Sequence, residues 1–199
     1  MKNLEDMTNY FHDGVSITPK KGDLLISEPF LPDPNFERTV VLLCENNEDG
    51  TIGFILNKPS MVNLGDVFED LSHFDKKVLV GGPVQQDSMH FLHKGVVNLD
   101  GGSKISEGIY WGGNFEQMKV LIQNNNIRSQ DVLYFLGYSG WAPGQLDQEL
   151  KENSWIVSTQ ATVNQVFDLD PELIWREVLK NMGGKYRMFS NYPTDPRLN

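Results

Sequence analysis

The sequence predicts an α+β fold in a single domain, with helices packed around a β-sheet. Three observations predict it. Apolar runs of strand length recur along the chain, at Asp23–Ser27, Arg38–Glu45, Thr51–Asn57, Lys77–Val80, Met89–His93 and Asp131–Tyr138. Apolar residues at helical spacing appear in other segments, such as Leu64, Val67, Phe68 and Leu71. The two kinds of segment do not alternate regularly, which argues against a doubly wound parallel sheet.

Each element has a local reason. Pro29, Pro32 and Pro34 force Glu28–Glu37 into an extended loop, because proline also pushes the preceding residue out of the helical region. Arg38–Glu45 and Thr51–Asn57 flank Asn46-Asn47-Glu48-Asp49-Gly50, a hairpin signal with a five-residue turn. Leu64–Leu71 reads as a short amphipathic helix. The turn Gly81-Gly82-Pro83 separates the strands Lys77–Val80 and Met89–His93. Asn98–Glu107, with Asp100-Gly101-Gly102-Ser103, reads as a loop inside the domain. Phe115–Asn124 is a helix with Asn114 as N-cap. Asp131–Tyr138 is a buried strand running into a glycine-rich turn, and the helix Gly144–Lys151 follows Pro143. Asn164–Phe167 fits one helical turn. Pro171–Met182 is a helix that starts on proline and stops at Gly183. The boundaries are an N-terminal extension over 1–21, a domain over 22–184 and a loosely held tail over 185–199.

Composition bounds function. The chain has 199 residues, 39% hydrophobic and 22% charged, with net charge −10. That sign works against DNA, RNA or anionic lipid as partners. Lys20-Lys21, Lys76-Lys77 and Lys185-Tyr186-Arg187 are separate basic spots, and no nucleic-acid reader motif accompanies them. Apolar runs fall far short of the about 20 residues a membrane helix needs, and the polar, acidic start lacks signal-peptide character. One cysteine, Cys44, rules out an internal disulfide and suits a reducing compartment, so the expected location is cytoplasmic.

The chemistry-bearing residue types give few combinations. Cys44 ends an apolar strand beside acidic and neutral neighbours, which favours a buried structural thiol. His90 and His93, three apart on a strand, face opposite ways and cannot share a metal. His93 fits a partly buried polar strand end. No other metal-ligand or cofactor motif is present. Glu28, Asp33, Asp147 and Glu149 read as solvated or capping carboxylates. In Gly137-Tyr138-Ser139-Gly140-Trp141, Trp141 replaces the final glycine of a nucleophile elbow, so Ser139 is not expected to be catalytic.

Three blocks together resemble the AlgH/YqgE family of bacterial proteins. The first runs from Gly22-Asp-Leu-Leu-Ile-Ser27 through Asp33-Pro34-Asn35-Phe36-Glu-Arg38 and Cys44-Glu45-Asn46 to Gly53-Phe-Ile-Leu-Asn57-Lys58-Pro59. The second is Val80-Gly81-Gly82-Pro83-Val84 with Phe91-Leu92-His93. The third is Leu136-Gly137-Tyr138-Ser139-Gly140-Trp141-Ala-Pro-Gly144-Gln145-Leu146 with Glu149, Asn153-Ser-Trp155 and Trp175-Arg176. The chain departs from the family at Asn46, often histidine there, and at Ser139, commonly alanine; both departures speak against thiol or serine chemistry. The N-terminal extension and Tyr110-Trp111-Gly112-Gly113 are variant features. The resemblance implies a folded-over, branched, mostly antiparallel sheet with helices outside. It implies no defined activity: some members carry the label of transcriptional regulator through a link to alginate production, and similar genes often neighbour one for a Holliday-junction-resolvase-like protein.

The expected function is therefore a regulatory or accessory binding protein with an unknown protein partner or small ligand. The alternative is an enzyme acting on a small anionic or nucleotide-like ligand at the Gly137–Gln145 turn, where free N–H groups at the helix start would hold the anion. The binding reading rests on three turn segments, Asp33–Phe36, Gly81–Val84 and Gly137–Gln145, forming one surface. The candidate residues are Asn57, Gly82, Pro83, His93, Tyr138, Trp141 and Gln145. Asn57 and Gln145 would supply amide hydrogen bonds, Gly82 and Pro83 shape, and Tyr138 and Trp141 flat apolar surface.

Overall fold

Strand-length apolar runs pair into one branched sheet of ten strands in the computed structural model, which describes residues 17–193. The strands are β1 Leu24–Ser27, β2 Val40–Asn47, β3 Gly50–Ile55, β4 Pro59–Asn63, β5 Lys77–Val80, β6 Val84–Lys94, β7 Ser103–Ser106, β8 Ile109–Trp111, β9 Val132–Trp141 and β10 Trp155–Ser158. The helices are α1 Leu64–Val67, α2 Phe115–Gln123, α3 Gln145–Lys151, α4 Ile174–Met182 and α5 Gly184–Phe189. The α+β class expected from the sequence is the class observed, and all strand pairs but one are antiparallel.

β9 organises the sheet. One of its edges pairs with β6 from Val132 to Tyr138. The other is shared: Tyr134–Leu136 pair in parallel with β5, and Ser139–Trp141 pair antiparallel with β3. The sheet branches there, giving the path β10-β1-β2-β3-β9-β6-β8-β7 with β5 and β4 on the side limb. β3 and β5 are therefore both internal; the edges are β10, β7 and β4.

Side-chain alternation divides the core. Leu24, Ile26, Val40, Leu42, Cys44 and Phe54 face the helix α4, meeting Ile174, Trp175, Val178 and Leu179. Leu25, Val41, Leu43 and Ile55 face the other way, onto Trp141, Leu146 and Trp155. Strands β1 and β2 are buried on both faces, which is why they read as unbroken apolar runs. A separate cluster of Leu64, Leu71, Val78, Met118, Ile122 and Tyr134 lies under α1 and α2.

Several local expectations change. The β2–β3 connection is a two-residue turn at Glu48-Asp49, because Asn46 and Asn47 pair with Thr51 and Gly50. Leu64–Leu71 is two pieces: Phe68, at φ −126 and ψ 98, separates α1 from a 3-10 turn over Glu69–Leu71. The strand read at Met89–His93 starts at Val84, with a bulge between Val84 and Met89 that turns Gln85 to φ 47. Part of the expected Asn98–Glu107 loop is β7. Strands β4 and β8 are too polar or too short to have been read as strands; β10, as long as β1 and similarly apolar, was missed. Asn114 caps α2, its side chain accepting from the Gln117 N–H at 3.1 Å.

The described part of the C-terminal segment is packed. Phe189 is buried in α5, Tyr192 stacks on Phe30 at 5.7 Å, and Arg38 donates to the carbonyls of Tyr192 and Pro193. The extension read over 1–21 lies outside the described residues up to residue 16. No helix among the described residues is long and apolar enough to cross a membrane.

Candidate functional site

Glycines build the branch point. Gly81 donates to the Leu136 carbonyl at 2.9 Å, and its own carbonyl accepts from the Ile55 N–H at 2.9 Å and the Ser139 hydroxyl at 3.0 Å. One residue at the end of β5 thus ties β3 to β9. A Cβ on Gly81 would lie 2.3 Å from the Gly137 carbonyl oxygen, and one on Gly82 would lie 2.3 Å from the Tyr138 carbonyl group. Gly137 adopts φ +66 at the same crossing, with the Val84 carbonyl oxygen 2.6 Å from where a Cβ would be. Ser139 is fully buried with its hydroxyl engaged, so it has neither the exposure nor the base of a nucleophile.

The segment expected as a glycine-rich turn is strand. β9 runs unbroken through Gly137–Trp141, because Ser139, Gly140 and Trp141 pair with Gly53, Ile52 and Thr51. The chain turns only at Ala142-Pro143-Gly144, and Gly144 at φ 77 is the N-cap of α3. Gln145 is occupied: its Oε1 accepts from the Ala142 N–H at 3.0 Å, and its Nε2 donates to Glu149 at 2.9 Å. The Gln145 side chain expected to help hold an anion at this helix start is thus already in use, and the carboxylate of Glu149 stands nearby.

Glu149 is a clamp rather than a solvated carboxylate. Its Oε2 accepts from Trp141 Nε1 at 2.8 Å and Trp155 Nε1 at 2.7 Å. The two indoles meet edge to face at 5.8 Å, and Phe36 closes the cluster, stacked at 6.1 Å on Trp141 and edge-on at 5.3 Å to Trp155. Trp141 is thereby a core residue, 5% exposed, and it also lines the groove beside Tyr138. Both Trp155 and the role of Glu149 escaped the reading of the residues; the only signal was two tryptophans flanking one acid on an intervening helix.

Asn57 also serves the fold. Its Oδ1 accepts from the Val40 N–H at 2.9 Å and its Nδ2 donates to the Arg38 carbonyl at 2.8 Å, pinning the entry to β2. Arg38, at φ 48, lies 4.7 Å above the Trp175 ring; burial and the nearby Arg176 hold its pKa below the ordinary value.

Tyr138 has a different setting. Its ring lies over Gly140, where a Cβ would come within 3.1 Å of Tyr138 Cε2. Beside it opens a groove of about 420 Å³ whose lining includes Ile52, Val84, Tyr138, Gly140 and Trp141 together with Glu45 and Asp49. Pro83 is exposed just before Val84. The three segments expected to form one surface all reach β9 but do not share a face of it. Gly81–Val84 crosses it at Gly137–Ser139, and Phe36 packs on Trp141 from the opposite face.

The histidines separate as expected. His90 packs against Phe54, Trp111 and Tyr138, and its Nε2 is 3.1 Å from Ser88 Oγ. The Ser88 hydroxyl donates to the Gln85 carbonyl at 2.7 Å. His93 points to the other face, stacked on Tyr110 at 5.5 Å, and is 1% exposed. Burial lowers the pKa of both. Cys44 is buried, and burial pushes its thiol far up. Glu28, raised by burial, accepts from the Phe30 N–H at 2.8 Å, and Asp33 accepts from Asn35 in a local turn. Among the described residues no group of three or more His, Cys, Asp or Glu is placed to hold a metal ion.

Comparison with known proteins follows this geometry. The AlgH-like family model (DUF179) matches residues 24–187. A UPF0301 protein of Cytophaga hutchinsonii is 46% identical over 180 residues, covering 90% of this chain and 98% of its own length. One from Bacteroides thetaiotaomicron is 36% identical over 185 residues, with 92% and 93% covered. The solution structure of AlgH from Pseudomonas aeruginosa aligns with TM-score 0.69 at 30% identity, covering 92% of this chain and 98% of that one. A crystal structure from Corynebacterium diphtheriae, at 22% identity, shares the fold with TM-score 0.72 over 88% and 94%. The branch-point glycines, the Trp141–Glu149–Trp155 clamp and the Asn57 clasp all fall inside the matched span, and the chain belongs to the AlgH-like family.

Proposed function

We propose that this protein is an accessory or regulatory binding protein of the cytoplasm that engages a basic segment of a protein partner at the Tyr138 groove. The carrying observation is the groove itself, whose lining brings Ile52, Val84 and Tyr138 together with Glu45 and Asp49. A lysine or arginine stem would lie along the apolar side chains while its charge meets the carboxylates. The net charge of −10 favours such a partner over a nucleic acid and speeds encounter with it. Pro83 would shape the rim beside Val84. The alternative of an enzyme at Gly137–Gln145 gains no support, since Ser139, Gln145 and Glu149 all have structural partners.

The test is a paired capture experiment. Wild-type protein and Tyr138→Ala, Glu45→Gln and Asp49→Asn variants of unchanged melting temperature are used as bait. Recovery of the same protein by wild type alone, weakened by added salt, supports the reading. Equal recovery by the variants overturns it. A thermal-shift screen of nucleotides, phosphosugars and short DNA duplexes runs beside it; a selective rise there moves the assignment to small-ligand or DNA binding.

A further inference from the structure

A second cavity, of about 340 Å³, lies at the far end of β6 and shares no lining residue with the Tyr138 groove. It is enclosed by the Gly95–Leu99 loop, Gly102, Tyr110 and His93. None of the residues lining it is an acid, a lysine or an arginine.

His93 gives the cavity its chemistry. The ring is 1% exposed. Its Nδ1 lies 3.0 Å from the Lys94 carbonyl oxygen, which can only accept, so Nδ1 carries the proton. Burial lowers the pKa of the imidazole, opposed by the backbone of Lys94 and Gly112; Gly112 lies near the ring without meeting hydrogen-bond geometry at Nε2. Nε2 is then a lone-pair acceptor, and it has no hydrogen-bond partner among the protein atoms. Gly102 stands beside it: a Cβ there would sit 3.8 Å from Nε2. A buried acceptor without a partner, on a residue that lines a pocket, asks for a donor.

We propose that this pocket binds a small uncharged molecule that presents an amide-type N–H or a hydroxyl to His93 Nε2. The neutral lining selects against ions, and the fixed tautomer selects for donors over acceptors. Tyr110 is stacked on the imidazole, which holds the ring orientation.

The test uses the full chain in solution. Long-range proton–nitrogen spectra first report which ring nitrogen of His93 is protonated. N-methylacetamide and uracil are then titrated as probes against N,N-dimethylacetamide and 1,3-dimethyluracil, which keep shape and polarity but lack the N–H. Expected are a bare Nε2, saturable shifts of the His93 ring signals in the millimolar range, and about tenfold or greater loss on methylation. Gly102→Leu is the blocking variant. Its backbone is unstrained and the nearest atoms to a Cβ are at 3.5 Å, so it folds and abolishes the shifts. His93→Gln, which turns an amide into the pocket, weakens them. A proton on Nε2, no saturable shift with either donor probe, equal binding of the methylated pair, or unchanged binding by Gly102→Leu overturns the proposal. None of these outcomes depends on the Tyr138 groove.

Discussion

The two ends of β9 treat their polar groups in opposite ways. At the C-terminal end every buried side-chain donor or acceptor has a partner: Ser139 bonds Gly81, and Trp141 and Trp155 share Glu149. At the N-terminal end, the Tyr134 hydroxyl and His93 Nε2 have none among the protein atoms. The difference teaches where to look for function. A fully satisfied network specifies a unique fold, and its members are committed to that task. Leftover buried polar atoms cost stability and need a reason to persist.

The largest expected effect comes from breaking the satisfied end. Gly82→Ala places a Cβ 2.3 Å from the Tyr138 carbonyl carbon and oxygen and 2.4 Å from the Ser139 nitrogen. Those are backbone atoms of β9, held by pairing with β6 and β3, so nothing there can yield. The variant is expected to lose more than about 4 kcal/mol, enough to prevent folding of a marginally stable domain. Soluble yield and circular dichroism read it; a melting temperature within a few degrees of wild type would show that the branch point is plastic.

Next is the clamp. Glu149→Ala leaves two indole N–H groups unpaired, both on tryptophans 5% exposed. With about 1–3 kcal/mol per orphaned buried donor, the loss is about 3 kcal/mol, and Glu149→Gln, which retains an acceptor, loses less. Denaturant unfolding followed by tryptophan fluorescence measures both. Equal small losses would mean that water replaces the carboxylate and the clamp is decorative.

These two sites also mark how far the sequence could be read. The strands β1, β2 and β9 were legible because burial on both faces writes an apolar run, and Asn114 was legible because capping is local. The end of β9 was misplaced because glycines serve turns and close strand crossings alike, and only tertiary contact distinguishes the two uses. Gly82, Trp141 and Asn57 were read as binding residues, and the structural contacts they make lie across the fold, out of reach of any local pattern: Asn57 reaches back to Arg38 and Val40, and Glu149 joins tryptophans from β9 and β10. The groove at Tyr138 needs Glu45, Ile52 and Val84 from three strands, which no spacing along the chain reveals.

The unsatisfied end sharpens the comparison through charge. Lys76 enters β5 near Asp131 and Lys94; burial first, opposed by Asp131 and reinforced by Lys94, lowers its pKa to about 8 from an ordinary 10.5. The charged form is thus disfavoured in the fold, at full cost below pH 8, and the cost fades as pH rises towards 10.5. Wild-type stability is expected to climb across that window. Lys76→Met is expected to add about 1–2 kcal/mol at pH 7, and its advantage should shrink above pH 8. Thermal melts of both proteins from pH 7 to 10 check it; a pH-independent difference would assign the effect to packing instead.

The smallest expected effect is the most diagnostic. Tyr134 is fully buried among Leu64, Leu71, Val78 and Met118, and burial raises its phenol pKa. Tyr134→Phe keeps the ring and removes only the oxygen. At the C-terminal end of β9, deleting a polar atom orphans a partner; here it orphans nothing. The substitution should therefore leave stability unchanged or raise it by up to about 1 kcal/mol. A loss of more than about 1 kcal/mol would mean that the hydroxyl is bonded in solution, through ordered water or a shifted backbone carbonyl. The contrast between the two ends of β9 would then fall for Tyr134 and rest on His93 alone.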